Sequence, residues 1–142
     1  MSARRHQEVA ALLDRAVAWA SARPDVAGLL LVGSWAADAA REDSDVDLVL
    51  LTDDPSLYDA PVLAGERVLG TFVTTRRWGP VTEWRFVRES GLEVELCVGH
   101  RDWAGTSPVD PGTRRVVSDG ARSLYDPRGL IAAVIDACAG QV

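Results

Sequence analysis

The sequence predicts an α/β fold of the α+β type, a mixed sheet of about four to five strands flanked by helices. Three observations predict it: helix-periodic segments near both ends, two continuous apolar runs of strand length, and two period-two segments joined by a short turn. At 142 residues, 47% hydrophobic and 25% charged, the chain has the size and composition of one domain, residues 1–142, large enough to bury a core.

The elements follow in order. Val9, Leu13, Ala16, Val17 and Ala20 recur at helical spacing and predict an amphipathic helix from Ala3 to Ala22, stopped by Pro24. Val26–Val32 is an unbroken apolar run and reads as a buried strand. Gly33-Ser34 breaks it, with Ser34 placed to cap a helix through Ala36, Ala37, Ala39 and Ala40. Val46–Leu51 is the second buried strand, closed by Thr52-Asp53-Asp54-Pro55. Pro55–Gly70 is mixed in pattern; Leu57–Leu69 can hold a helix, against which Pro61 and Gly65 argue. Val81–Val87 and Leu92–Val98 alternate with period two around Arg88-Glu89-Ser90-Gly91 and predict a hairpin. A loop over Ser107–Gly112, a helix over Thr113–Ser118, a strand over Arg122–Tyr125 and a helix over Pro127–Ala139 complete the chain, with Pro127 in the last helix's first turn.

Composition narrows the function. A net charge of −6 and a pI near 4.8 give a field that repels nucleic acid and anionic lipid, so a long polynucleotide is not the expected partner. All 15 basic residues are Arg, which excludes Schiff-base chemistry and the lysine of a phosphate-binding P-loop. Cys97 and Cys138 each sit in an apolar element and read as buried thiols rather than a disulfide framework. Charges at Glu8, Asp14 and Arg15 interrupt the amino-terminal segment, unlike a signal peptide, and no run approaches the roughly 18 apolar residues of a membrane span. The expectation is a cytoplasmic protein with no membrane partner.

The chemistry concentrates in three places. Alternation along a strand puts Asp45 and Asp47 on one face, and Glu93 and Glu95 on one face of the later hairpin strand. If those strands are neighbours, three or four carboxylates converge, a hard oxygen set suited to one or two Mg²⁺ ions with nucleotide phosphates completing the coordination. The third place is Gly33-Ser34, where a glycine that admits close backbone approach, a hydroxyl and a helix start together suit a phosphate. Taken singly, each feature has a plainer reading: Gly33-Ser34 as a capped turn, Asp45 and Asp47 as solvated carboxylates at a strand end. Arg76 and Arg77 can clamp phosphate or simply face water, Trp35 can stack on a base or pack in the core, and His6 and His100 lack ligand spacing and read as surface residues.

The order Gly33-Ser34, ten residues, then Asp45-Val46-Asp47 in an apolar strand, within Ser44-Asp45-Val46-Asp47-Leu48, followed by a later acidic strand, resembles the DNA-polymerase-β-like nucleotidyltransferase superfamily. It looks most like the minimal nucleotidyltransferases and the catalytic domains of aminoglycoside nucleotidyltransferases, over about Val26–Thr52 and, less tightly, through the hairpin to Val98. The resemblance implies that Gly33 and Ser34 hold a triphosphate, that Asp45 and Asp47 bind Mg²⁺, and that Glu95, favoured over Glu93, is the third carboxylate. That residue would ligate a second ion and help deprotonate the acceptor. It implies transfer of a nucleoside monophosphate, AMP from ATP, to a hydroxyl of a small molecule such as an aminoglycoside or of a partner protein. The chain is too short to supply an acceptor wall, so a homodimer or a hetero-complex is expected. One departure stands out: Asp38 occupies the position four residues after the serine where many small members carry Gly. A catalytically silent or antitoxin-like binding module with the same fold is the alternative.

Overall fold

The computed structural model describes residues 1–59 and 67–140. Its six strands are β1 (Val26–Val32), β2 (Val46–Thr52), β3 (Thr71–Trp78), β4 (Val81–Val87), β5 (Glu93–His100) and β6 (Ala121–Tyr125). They form one sheet in the order β3-β4-β5-β2-β1-β6, antiparallel throughout except for the parallel pair β2 and β5. Among the described residues three helices flank it: α1 (Ala3–Ser21), α2 (Pro111–Asp119) and α3 (Leu130–Ala139).

Helix α1 starts at Ser2, whose hydroxyl accepts the N–H of Arg5 at 3.1 Å. Its stripe Val9, Leu12, Ala16 and Ala20 is buried against one sheet face, on Leu29, Leu31, Leu48, Leu50 and Leu96. Helices α2 and α3, with a single 3₁₀ turn at Arg101–Ala104, cover the other face, where Leu30, Val49 and Leu51 meet Ala104, Val117, Ile131 and Val134. Strands β1 and β2 are therefore buried on both sides, which is why they read as continuous apolar runs instead of alternating ones.

Four expectations are corrected. Ser34–Ala40 is not a helix but a string of turns: the Gly33 carbonyl accepts the N–H groups of Ala36 and Ala37, and Asp38, at φ 57°, breaks any continuation. Strand β3 was not expected; it is an edge strand exposed along nearly its whole length, so burial imposes no period on it. Pro127 stands before α3, whose first N–H groups at Ile131 and Ala132 are accepted by the Asp126 carboxylate at 3.0 and 2.9 Å. Cys97 and Cys138 are free thiols that are only partly buried, Cys97 because its side of β5 faces a cleft. A helix over Leu57–Leu69 falls largely on 60–66, outside the described residues, and just before them Pro55–Leu57 forms one 3₁₀ turn. Among the described residues no helix is long and apolar enough to cross a membrane.

Candidate active site

Strand register builds the site. Val32 lies opposite Asp47, Asp47 beside Glu95, and Glu95 opposite Arg85, so four neighbouring strands present these side chains as one row on the face that carries α2. Asp45, immediately before β2, joins the row: Asp45, Asp47 and Glu95 each bring an oxygen within 4.8 Å of the others. One step along the sheet Glu83 lies opposite Cys97, and Glu83, Glu95 and Cys97 make a second such group within 4.8 Å. Glu93, by contrast, is exposed at the start of β5, opposite Val87 and outside the cluster.

Gly33 shapes one wall. Its φ is 76°, and a Cβ on it would collide with the Asp47 carboxylate, so the absence of a side chain is what lets that carboxylate lie against the backbone. The turn after it rests on the end of α2, where a Cβ on Gly120 would stand 3.1 Å from the Ala37 nitrogen. The Ser34 hydroxyl is partly exposed and makes no hydrogen bond among the described residues; unlike Gly33, Ser34 does not line the cleft over the site. Because the segment is a turn, no helix N-terminus contributes to an anion site here.

The electrostatics follow from crowding. Burial, then the charges of Asp45 and Glu95, push the Asp47 carboxyl up to about 7. Burial and the neighbouring Glu83 push Glu95 up to about 7, although the Arg85 guanidinium donates to it at 3.0 Å. The second arm of Arg85 lies 3.7 Å from Asp45. Burial and the adjacent Glu95 hold the Cys97 thiol far above its ordinary value, which favours its protonated form.

A cleft of about 770 Å³ opens over this row. Asp47, Glu95 and Cys97 are on its floor, Trp78 and Val81 on one side, and Trp103, Thr113 and Val116 on the other. At the far end β5 carries Gly99, between Val81 and Trp103; a Cβ there would touch them at 3.4 and 3.9 Å. Three carboxylates converging on one point are a hard donor set and fit a divalent ion such as Mg²⁺.

The remaining sequence candidates fall elsewhere. Trp35 donates its indole N–H to the Ser44 carbonyl at 3.3 Å and meets the His6 ring edge-on, a packing role. Arg76 and Arg77 lie on the exposed strand β3, Arg76 stacked over Trp78 at 5.1 Å, and neither lines the cleft. Asp38 is exposed at its left-handed turn position. His100 accepts the N–H of Asp102 at the start of the 3₁₀ turn. Sequence reasoning missed Arg85, Glu83, Trp78 and Trp103. The expected hairpin, with Val87 opposite Leu92, would have set Arg85 opposite Val94; the observed pairing of Val87 with Glu93, one residue shifted, places it opposite Glu95.

Comparison with protein families gives a match to the nucleotidyltransferase domain over residues 15–102, more than half of the chain, a span that includes Gly33, Ser34, Asp45, Asp47, Arg85 and Glu95. No curated protein matches the chain.

Proposed function

Because the chain belongs to the nucleotidyltransferase domain family, we propose that it transfers AMP from ATP to a hydroxyl group of a small molecule or of a partner protein, releasing pyrophosphate. The observation that carries this reading is the meeting of Asp45, Asp47 and Glu95 within 4.8 Å on the floor of the cleft, beside the Gly33 turn.

Asp45, Asp47 and Glu95 are the residues that would hold Mg²⁺, one ion or two, which when bound supplies charge neutralisation to the triphosphate and to the developing charge at its α-phosphorus. The Gly33 backbone and the Ser34 hydroxyl bind the triphosphate. The acceptor oxygen forms a bond to the α-phosphorus as the bond from that phosphorus to the β-bridging oxygen breaks. The acceptor proton passes to the Glu95 carboxylate, which faces the cleft beside Asp47. The walls of Trp78, Val81 and Trp103 give the acceptor an apolar surface beside the carboxylates. A second copy of the chain or the partner protein closes the open side, and a net charge of −6 disfavours a long nucleic acid as acceptor. With ATP as donor, this reading is of a cytoplasmic enzyme.

The test is incubation with each radiolabelled NTP and Mg²⁺ in the presence of a compound panel or a lysate, followed by a search for a labelled acceptor. Calorimetry of Mg²⁺-ATP binding accompanies it; Ser34→Ala should raise the dissociation constant about tenfold to hundredfold, the loss of one hydrogen bond to a charged phosphate. Absence of both nucleotide binding and label would leave the protein a binding module with this fold.

A further inference from the structure

Arg85 is the one cation ion-paired with the carboxylate cluster among the described residues, and it touches two of the three carboxylates that would hold the metal. Its position is set by register, directly across β4 and β5 from Glu95, and its side chain is about one-third exposed, so it is neither locked in the core nor loose in solvent. The two arms are unequal: Glu95 is bound at 3.0 Å, Asp45 only approached at 3.7 Å. No other part of the proposed reaction uses this residue.

We propose that Arg85 is a positioning residue acting as a built-in counter-cation. It neutralises the cluster while no metal is bound, keeps hold of Glu95 when an ion takes Asp45 and Asp47, and holds the site's affinity for a bare divalent ion low. A metal ion is then retained chiefly when a polyphosphate arrives with it, because the added negative charge offsets the guanidinium. A unit positive charge roughly 5 Å from a divalent ion lowers its affinity about tenfold or more even at the dielectric of water. This inference rests on the reading of Asp45, Asp47 and Glu95 as the metal site.

The test uses Mn²⁺ alone as the probe, with binding followed by electron paramagnetic resonance and by calorimetry, on the wild type, Arg85→Gln and Arg85→Lys. Arg85→Gln should bind Mn²⁺ at least tenfold more tightly than the wild type, and Arg85→Lys, which keeps the charge, should stay near the wild-type value. In EDTA, Arg85→Gln should melt at a lower temperature than the wild type and regain the difference with Mn²⁺. Arg85→Met, which keeps the aliphatic stem, replaces Arg85→Gln if the latter does not fold. Equal or weaker Mn²⁺ binding by the neutral variant overturns the inference, as does absence of Mn²⁺ binding by every variant. Mg²⁺-ATP binding by the wild type, measured separately, reports on the transferase reading: its failure with the Mn²⁺ difference intact would sink that reading alone.

Discussion

The carboxylate of Asp47 lies against the backbone of Gly33, in the space that any side chain at position 33 would fill. Gly33→Ala therefore carries two costs, the left-handed backbone at φ 76° and the collision with Asp47. It should lose roughly 1–2 kcal/mol of stability and, with Asp47 displaced, any Mg²⁺-dependent rise in melting temperature. Gly79→Ala is the control, since Gly79 has φ 57° with nothing within 4 Å, and it should show the backbone cost alone. Equal behaviour of the two variants in Mg²⁺ would separate Gly33 from the site.

Asp47→Asn removes one charge from a crowded, half-buried cluster while keeping its shape. In EDTA it should be as stable as the wild type or more stable by up to about 2 kcal/mol, because burial and like charges already disfavour the ionised form. Added Mg²⁺ should raise the melting temperature of the wild type and do much less for the variant. Thermal melts in both conditions check this, and a destabilised variant indifferent to Mg²⁺ would make Asp47 a hydrogen-bonding residue at a strand end.

What the sequence disclosed follows from burial. Strands β1 and β2 are covered on both faces, so they appear as unbroken apolar runs, and the two aspartates at the mouth of β2 stand out against them. Strand β3 has solvent along nearly its whole length and hence no pattern to read. The alanines after Ser34 favour a helix by propensity, but the close packing of Ala37 on Gly120 and the left-handed Asp38 impose a turn. Arg85 depended on one residue of register: the expected connection Arg88–Gly91 in fact includes Leu92, whose carbonyl accepts the N–H of Arg88 at 2.9 Å.

The metal-free protein should lose stability as pH rises from about 4 to about 7. Asp47 and Glu95 have folded-state pKa values near 7, above their ordinary values of 3.8 and 4.5, so the folded state binds more protons across that interval and deprotonation favours unfolding. Asp47→Asn should flatten the slope, and saturating Mg²⁺ should flatten it in the wild type. Denaturant titrations across the range in EDTA decide it. Asp53 acts in a separate window: Arg128 and Arg101 lower its pKa to about 2, so its contribution is present above its ordinary value of 3.8 and lost as pH falls toward 2.

Thr52→Val tests a network remote from the cleft. The Thr52 hydroxyl is buried, donates to Asp25 at 2.7 Å and accepts the N–H of Asp54 at 3.0 Å, while Tyr58 donates to the same Asp25 oxygen at 2.6 Å. The substitution should cost about 1–2 kcal/mol in urea unfolding, chiefly by leaving the Asp54 N–H unpaired, and should leave nucleotide binding unchanged.

The parallel pair β2 and β5 is also a seam in time. Strands β3, β4 and β5 follow one another as a meander, β1 pairs with β2 across a short connection, and within the sheet these two parts meet only where β2 lies along β5. Joining them closes a long loop, the kind of event that sets folding rates. Asp45 and Asp47 arrive with one part and Glu95 with its attached Arg85 on the other, so the Asp47–Glu95 share of the repulsion is born at the moment of docking. The carboxylates should thus slow the chain's assembly rather than hasten its unravelling. Asp47→Asn in EDTA is expected to refold faster than the wild type with little change in unfolding rate, as stopped-flow chevrons would show; a change confined to the unfolding limb would place the repulsion after the barrier.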